Sequence, residues 1–212
     1  AAAFVSPLIL SNIVSVKLVQ LGRWLMPAGV IVFPLSYIFG DVLTEVYGFR
    51  RARLVIWLGF VCNLLAVGSI VVTQVLPPAS IWDGQAAYER ILGFTPRLLA
   101  GSFAAYLVGE FLNAVVLAKL KIVTRGRWLW MRTISSTLVG EGADSLVFIT
   151  IAFAGTIPGG ELLPLMVTAW LVKSAYEVVA TPLTYLVVNT LKRLEGVDTY
   201  DYGTDFSPLR LR

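Results

Sequence analysis

A chain of 212 residues that is 57% hydrophobic and only 14% charged is too apolar for an ordinary soluble domain. It contains no histidine and a single cysteine, Cys62, so the commonest metal ligand, the usual base of serine hydrolases and an intrachain disulfide are all excluded. Its net charge of +4 does not indicate nucleic-acid binding, because the basic residues cluster at the ends of apolar segments. We therefore expect an all-α polytopic membrane protein that contacts the lipid bilayer, binds no nucleic acid and needs no cofactor or metal.

Six apolar segments are long enough to be predicted as transmembrane helices of one domain, residues 1–195. They cover about residues 4–20, 28–47, 54–76, 98–120, 133–154 and 162–191. The first is short and is interrupted by Pro7, Asn12 and Lys17. After Gly22 and Arg23, Pro27 is predicted to break the chain before the second segment. Residues 77–95 are predicted to form an interfacial loop with a short surface helix as an option, and residues 196–212 to form a polar cytoplasmic tail that is partly disordered.

The distribution of lysine and arginine predicts the orientation of the chain. Three arginines, Arg50, Arg51 and Arg53, follow the second segment, and five basic residues surround the loop after the fourth: Lys119, Lys121, Arg125, Arg127 and Arg132. The positive-inside rule then places both termini in the cytoplasm. Three helices in each half allow an inverted repeat of helices one to three and four to six, an arrangement common among secondary transporters.

Charged residues inside the predicted helices are the main functional signal. The set is Asp41, Glu45, Glu110, Glu141, Asp144 and Glu177, with the lysines Lys17 and Lys173. At about 2.5 to 3.5 kcal/mol per charge, exposing eight such groups to lipid would cost roughly 20 kcal/mol or more. Their spacing at i,i+3 or i,i+4, including that of Glu110 and Asn113, places each pair on one face of its helix. These residues must therefore face inward.

Two interpretations of these inward charges remain open. They form a structural network of interhelical ion pairs, or they line a polar pocket for a ligand. Because two lysines leave four carboxylates without a cation, we expect protonated carboxylates, a donor-rich ligand, a cation or a proton pathway to complete the set. Aromatic side chains such as Tyr37 and Phe148 provide stacking surface for a planar ligand.

Particular segments of this chain resemble the queuosine precursor transporter family, small six-helix proteins of bacterial membranes that are also described as vitamin-uptake transporters. The matching residues are Ser11 and Asn12, Phe33 and Pro34, the segment GDVLTEVYG (40–48), the run RRAR (50–53), the segment STLVGEGADS (136–145), Phe148, Lys173 and the region of Pro182. The match extends over nearly the whole chain except residues 77–95 and the tail.

The resemblance implies import of a 7-deazaguanine base, as the cyano or aminomethyl precursor or as queuine, across the bacterial inner membrane for tRNA modification. A guanine-like edge presents N1–H and an exocyclic NH2 in parallel, which a carboxylate accepts bidentately. We expect Asp41, Asp144 and Asn12 to recognise the base, with Lys173 as the balancing cation. Four further acids are expected to be second contacts or proton carriers: Glu45, Glu110, Glu141 and Glu177.

Three rival functions need discrimination, and the oligomeric state stays open, with a homodimer as one option. A substrate-capture component of an energy-coupling-factor importer is also a small six-helix protein, but it requires an ATPase and a scaffold partner. An intramembrane aspartyl protease is conceivable with Asp41 and Asp144, but the GxGD arrangement is absent, since residues 140–144 read GEGAD. Because that motif is absent, the chain is not expected to be an enzyme. A channel fits poorly with deeply buried acids.

Overall fold

The protein is helical throughout most of the chain. The computed structural model describes residues 1–14, 17–21, 24–93, 96–155 and 158–210. The helices are α1 (Ala2–Val14), α2 (Phe33–Tyr47), α3 (Phe49–Val75), α4 (Gln85–Leu92), α5 (Pro96–Val123), α6 (Leu129–Phe153) and α7 (Gly159–Glu195). Strands β1 (Leu18–Leu21) and β2 (Trp24–Pro27) and a 3₁₀ turn (Ala28–Ile31) connect α1 to α2. The predicted helical fold class is thus confirmed.

In the part of the chain that the structure describes, four helices are long and apolar enough to cross a bilayer. They are Phe49–Val75, Leu99–Val123, Leu129–Phe153 and Leu162–Glu195, each above the roughly 20 residues that a span requires. Helices α1 and α2 have 13 and 15 residues, so they extend only roughly 20 Å at 1.5 Å per residue. The prediction of a multi-pass helical membrane protein is confirmed, but six full spans are not. Helix α4 lies where a short surface helix was an option.

The first predicted span ends earlier than expected. Helix α1 stops at Val14, and Leu18–Leu21 pairs in antiparallel fashion with Trp24–Pro27. The prediction of a helix up to residue 20 is therefore wrong for residues 18–20, which pair as a strand instead. Gly22 and Arg23 lie outside the described residues, and the predicted break at Pro27 coincides with the end of the second strand. Lys17 is exposed in the bend after α1, not buried in a helix.

Gly48 alone separates α2 from α3. Its φ of +83° is in the region that favours glycine, and a Cβ at this position would lie 2.8 Å from Cγ2 of Thr199. The third span consequently begins at Phe49 instead of residue 54. Arg50, Arg51 and Arg53 lie in the first turns of α3 and do not form a loop after α2.

Helices α5 and α6 approach each other closely through glycine. A Cβ at Gly140 would lie 2.9 Å from the carbonyl oxygen of Gly109, and a Cβ at Gly109 would lie 3.1 Å from that of Gly140. Small residues at such positions let membrane helices pack backbone to backbone. The pair therefore holds the polar faces of α5 and α6 at short range.

The C-terminal tail folds back onto the end of the bundle where α2 meets α3. The Thr199 N–H donates to the Val46 carbonyl at 3.1 Å, and the Asp201 carboxylate accepts the Phe49 N–H at 2.9 Å. Arg53 Nη1 donates to the carbonyl of Ser207 at 2.7 Å. The expectation of a partly disordered tail is wrong for these residues, because they satisfy otherwise unpaired backbone and guanidinium groups. The domain boundary at residue 195 stays a prediction.

Replacing Asp201 with alanine should lower the stability of the folded protein. Its carboxylate accepts the first free N–H of α3, so the change removes a helix cap worth about 1 kcal/mol. We expect a fall of about 2–4 °C in the thermal unfolding midpoint in detergent. The matched control is Asp83→Ala in the exposed loop before α4, which should leave the midpoint unchanged. Equal effects of the two changes would contradict the capping role.

Candidate functional site

A group of polar side chains is buried in the middle of the bundle and is called the inner cluster here. It consists of Tyr37 and Asp41 from α2, Glu110 and Asn113 from α5, Glu141 and Asp144 from α6, and Lys173 and Glu177 from α7. Among these acids, Asp144 is the most exposed, at 6%. The i,i+3 spacing within α5 and α6 and the i,i+4 spacing within α2 and α7 place each pair on the inner face of its helix.

Lys173 is the cation of the inner cluster. Its Nζ lies 2.9 Å from Glu141 and 2.5 Å from Asp144, so one ammonium group joins α7 to two carboxylates on α6. The same Nζ lies 4.7 Å from the centre of the Phe33 ring, within the range of a cation–π contact. Lys173 is therefore held by α6 on one side and α2 on the other.

Asp41 is oriented by an amide from the neighbouring helix. Asn113 Nδ2 donates to Asp41 Oδ1 at 2.7 Å. Within the described residues, Asp41 Oδ2 and Asn113 Oδ1 have no hydrogen-bond partner although both atoms are buried. An acceptor pair fixed in position but left unsatisfied is unusual in a protein interior, where buried polar groups are nearly always bonded.

Three further side chains of the inner cluster carry unsatisfied oxygens. Glu110 Oε1, both carboxylate oxygens of Glu177 and the Tyr37 hydroxyl have no hydrogen-bond partner among the residues that the structure describes. Glu110 reaches towards α2, since a Cβ on Gly40 would be 3.3 Å from Glu110 Oε2, and it is near enough to Asp41 to interact with it electrostatically. The Tyr37 hydroxyl lies beside Asp144, because both contact Gly109. The cluster thus presents acceptors that call for donors.

Glu45 does not belong to the inner cluster. Its Oε1 lies 2.8 Å from Arg132 Nη2, 2.7 Å from Lys192 Nζ and 3.7 Å from Lys121 Nζ. Asp198 of the tail joins the same group, at 2.5 Å from Lys121 and 2.9 Å from Lys192. We call these five residues the basic-end cluster. Burial raises the pKa of Asp198, but hydrogen bonds from Lys121 and Lys192 outweigh it and hold the pKa below the usual value.

The expectation that Lys17 and Lys173 are the cations available to the buried acids is therefore wrong, because Glu45 has cations of its own. Lys121 and Arg132 were assigned to a loop, and Lys192 to the end of the last span. In the structure α5, α6 and α7 extend beyond their predicted bounds, so these cations lie on helix ends and reach inward to Glu45. The signal available in the sequence was their position within a few residues of the apolar segments, combined with the length of lysine and arginine side chains.

Two predicted site residues have other neighbours. Asn12 Nδ2 donates to Asn63 Oδ1 on α3 at 2.9 Å, so the structure does not bond it to the carboxylates that it was predicted to assist. The Phe148 ring packs edge-on against Phe153, with ring centres 6.0 Å apart. Neither contact involves a residue of the inner cluster.

The described residues hold no group of three or more His, Cys, Asp or Glu side chains arranged to bind a metal ion. Asp41 and Asp144 also have separate partners, Asn113 and Lys173, so they do not form a bonded aspartyl pair. The arrangement of the inner cluster suits binding of a donor-rich molecule.

Buried charges at the meeting point of several membrane helices are typical of membrane transporters. Residues 27–187 match the family model described as "Putative vitamin uptake transporter". This chain belongs to that family. No solved structure is significantly similar to it.

Three curated relatives are named as transporters of queuosine precursors. The chain is 31% identical over 176 residues, 82% of its length and 77% of the relative, to a "Probable queuosine precursor transporter" of Bacillus subtilis. It is 31% identical over 125 residues to the "Queuosine precursor transporter" of Escherichia coli, covering 59% of the chain and 54% of the relative. For a "Probable queuosine precursor transporter" of Haemophilus influenzae the identity is 32% over 125 residues, covering 59% and 51%. The match thus spans about half the length of the last two relatives.

Replacing Lys173 with glutamine should destabilise the protein, because Glu141 and Asp144 lose their cation in a buried site. Breaking a buried ion pair on one side typically costs about 3–5 kcal/mol. We expect a large fall in the thermal unfolding midpoint in detergent, with partial recovery when Glu141→Gln and Asp144→Asn are added. The control is Lys17→Gln at the exposed bend, which should have little effect. An unchanged midpoint for Lys173→Gln would contradict the assigned pairing.

Proposed function

We propose that this protein imports a 7-deazaguanine precursor of queuosine across the bacterial inner membrane for tRNA modification. The observation that carries the proposal is the pair of buried carboxylates Asp41 and Glu110, each of which has an oxygen without a hydrogen-bond partner among the described residues. Family membership and the names of the relatives support the same conclusion.

The chemistry of a deazaguanine complements this set of acceptors. Its N1–H and exocyclic NH2 point in the same direction, so a carboxylate accepts both. Asp41 offers one free oxygen for one of these N–H groups, because Asn113 already donates to its other oxygen. Glu110, near Asp41, accepts a further N–H of the base. The Phe33 and Tyr37 rings, 5.5 Å apart between centres, supply aromatic surface near Lys173 for stacking.

The basic-end cluster closes the path that the substrate would take between the inner cluster and one side of the membrane. The positive-inside rule makes this the cytoplasmic side, which places both termini in the cytoplasm if α1 with its hairpin and α2 complete six crossings. Helices α2 and α6 then occupy equivalent positions in an inverted 3+3 repeat, and each contributes at least one acid to the inner cluster. Glu45 connects α2 to α6 and α7 there, so release of substrate into the cytoplasm requires these ion pairs to separate.

Uptake by the purified protein in liposomes tests the proposal. Asp41→Asn and Asp144→Asn should each reduce uptake of a labelled deazaguanine base to background, because each change removes a carboxylate of the inner cluster. Asp83→Asn in the exposed loop is the control and should transport normally. Binding of guanine, its deaza precursors and queuine to the same preparations identifies the preferred form.

Different results separate the alternatives. Normal uptake by both cluster variants would reject the assigned site. Binding without uptake by the wild-type protein would favour a substrate-capture component that works with an ATPase and a scaffold subunit.

Glu45→Gln should open the basic end without abolishing binding of the base. In a Cys62→Ser background, Ser136→Cys places a thiol one turn beyond Arg132 on the buried face of α6. We expect an impermeant thiol reagent added on the basic side to label it several-fold faster in Glu45→Gln. Glu195→Gln, exposed at the end of α7, is the matched control. Unchanged labelling or loss of binding would contradict a gate at Glu45.

A further inference from the structure

The charges of the inner cluster do not balance within the protein. Its five carboxylates belong to Asp41, Glu110, Glu141, Asp144 and Glu177, and among the described residues Lys173 is the cation that contacts them. Because Lys173 is shared by Glu141 and Asp144, the other three acids have no ion pair there. All three are 1% exposed or less. Ionised carboxylates in that setting are strongly disfavoured unless a positive charge or a proton joins them.

A neutral base does not remove this imbalance. Its N–H groups satisfy acceptor oxygens but bring no positive charge, so the cluster needs at least one proton whether or not the base is bound. Asp41 and Glu110 lie together beside Asn113, where the proposed substrate contacts are. Glu177 differs from them, since neither of its oxygens has any partner within the described part of the chain.

The groups that face Glu177 come from the two helices packed against α7. Asp41 on α2 and Glu141 on α6 are close enough to repel it electrostatically, and Lys173 lies one turn away on α7 itself. Thr181 donates to the backbone carbonyl of Glu177 at 2.8 Å and does not bond its carboxylate. The buried Ser174 hydroxyl, one turn away, also has no partner in the described residues. A proton on Glu177 therefore relieves repulsion from two sides.

We infer that Glu177 is the proton-coupling residue of this transporter: its carboxylate takes a proton from the outer side and releases it to the cytoplasm in each cycle that carries a base. The inference rests on the proposed function. The step forms and breaks one O–H bond and needs no redox partner. When Glu177 is ionised it repels the Asp41 carboxylate, which disfavours binding of the base. Binding of the proton and binding of the base therefore favour each other.

Proteoliposomes with an imposed pH gradient, alkaline inside, test the coupling. The probe is the labelled cyano deazaguanine, a neutral base. The wild-type protein should accumulate it at least several-fold above equilibrium, and a protonophore should abolish the accumulation. Glu177→Gln should retain exchange of internal for external base but lose accumulation and its pH dependence. Glu195→Gln on the same helix is the matched control and should accumulate the base normally.

Several outcomes would overturn the inference. The first is accumulation by the wild-type protein that does not depend on the pH gradient. The second is accumulation of base by the Glu177→Gln protein. The third is loss of base exchange in Glu177→Gln together with a Glu177→Asp protein that exchanges base but does not accumulate it in response to the pH gradient. A thermal unfolding midpoint near the wild-type value shows that the variants are folded. Failure of the wild-type protein to exchange any base would instead reject the proposed function, so the two failures are distinguishable.

Discussion

The need to compensate buried charge inside hydrocarbon governs this protein. A carboxylate away from water requires a cation, hydrogen-bond donors or a proton, because leaving it ionised and unpaired is prohibitively costly. In the basic-end cluster protein cations compensate the charge of the buried acid, although Glu45 Oε2 and Arg132 Nε have no hydrogen-bond partner among the described residues. Glu45 receives Arg132 from α6 and Lys192 from α7, while Lys121 of α5 donates to its backbone carbonyl. One carboxylate thereby ties α2 to three other helices.

In the inner cluster, protein groups compensate the buried charge only in part. Lys173 compensates part of the charge on Glu141 and Asp144, and Asn113 donates to one oxygen of Asp41. The remaining acceptors stay unsatisfied. Replacing unpaired acids by well-packed apolar residues would often stabilise a protein, so retaining them costs stability that only a ligand or a proton restores. The two clusters thus differ in charge: the acid of the basic-end cluster has several cations, whereas the five acids of the inner cluster, which is the proposed binding site, share one.

Much of the fold could be predicted because hydropathy reports burial in lipid directly. The segments that became α3, α5, α6 and α7 are long apolar runs, and the helical period placed Glu141 and Asp144 on one face. Hydropathy does not report where a helix ends, however. The paired strands after Val14 and the single-residue junction at Gly48 depend on local backbone geometry. The mean hydropathy of a segment carries no information about that geometry.

The pairing of charges was harder to predict than their inward orientation. Periodicity within one helix shows that Glu45 faces inward, but it carries no information about which cation on another helix reaches it. Counting lysine and arginine for topology assigned Lys121 and Arg132 to solvent, although their long side chains extend along the helices to the buried acid. The tail was expected to be partly disordered because it is polar. Its polar groups are the ones that complete the bundle, as Asp201 does for the first N–H of α3.

The two clusters also divide the helices into units with different freedom to move. Gly109 and Gly140 bring the backbones of α5 and α6 into direct contact, so these helices cannot separate without losing close packing. Helix α7 is held to the others mainly by side chains, with Lys173 at the inner cluster and Lys192 at the basic end. Ion pairs exchange partners or water more readily than backbone contacts can be re-formed. Because Lys173 and Lys192 lie on the same helix, α7 connects the inner cluster to the ion pairs of Glu45.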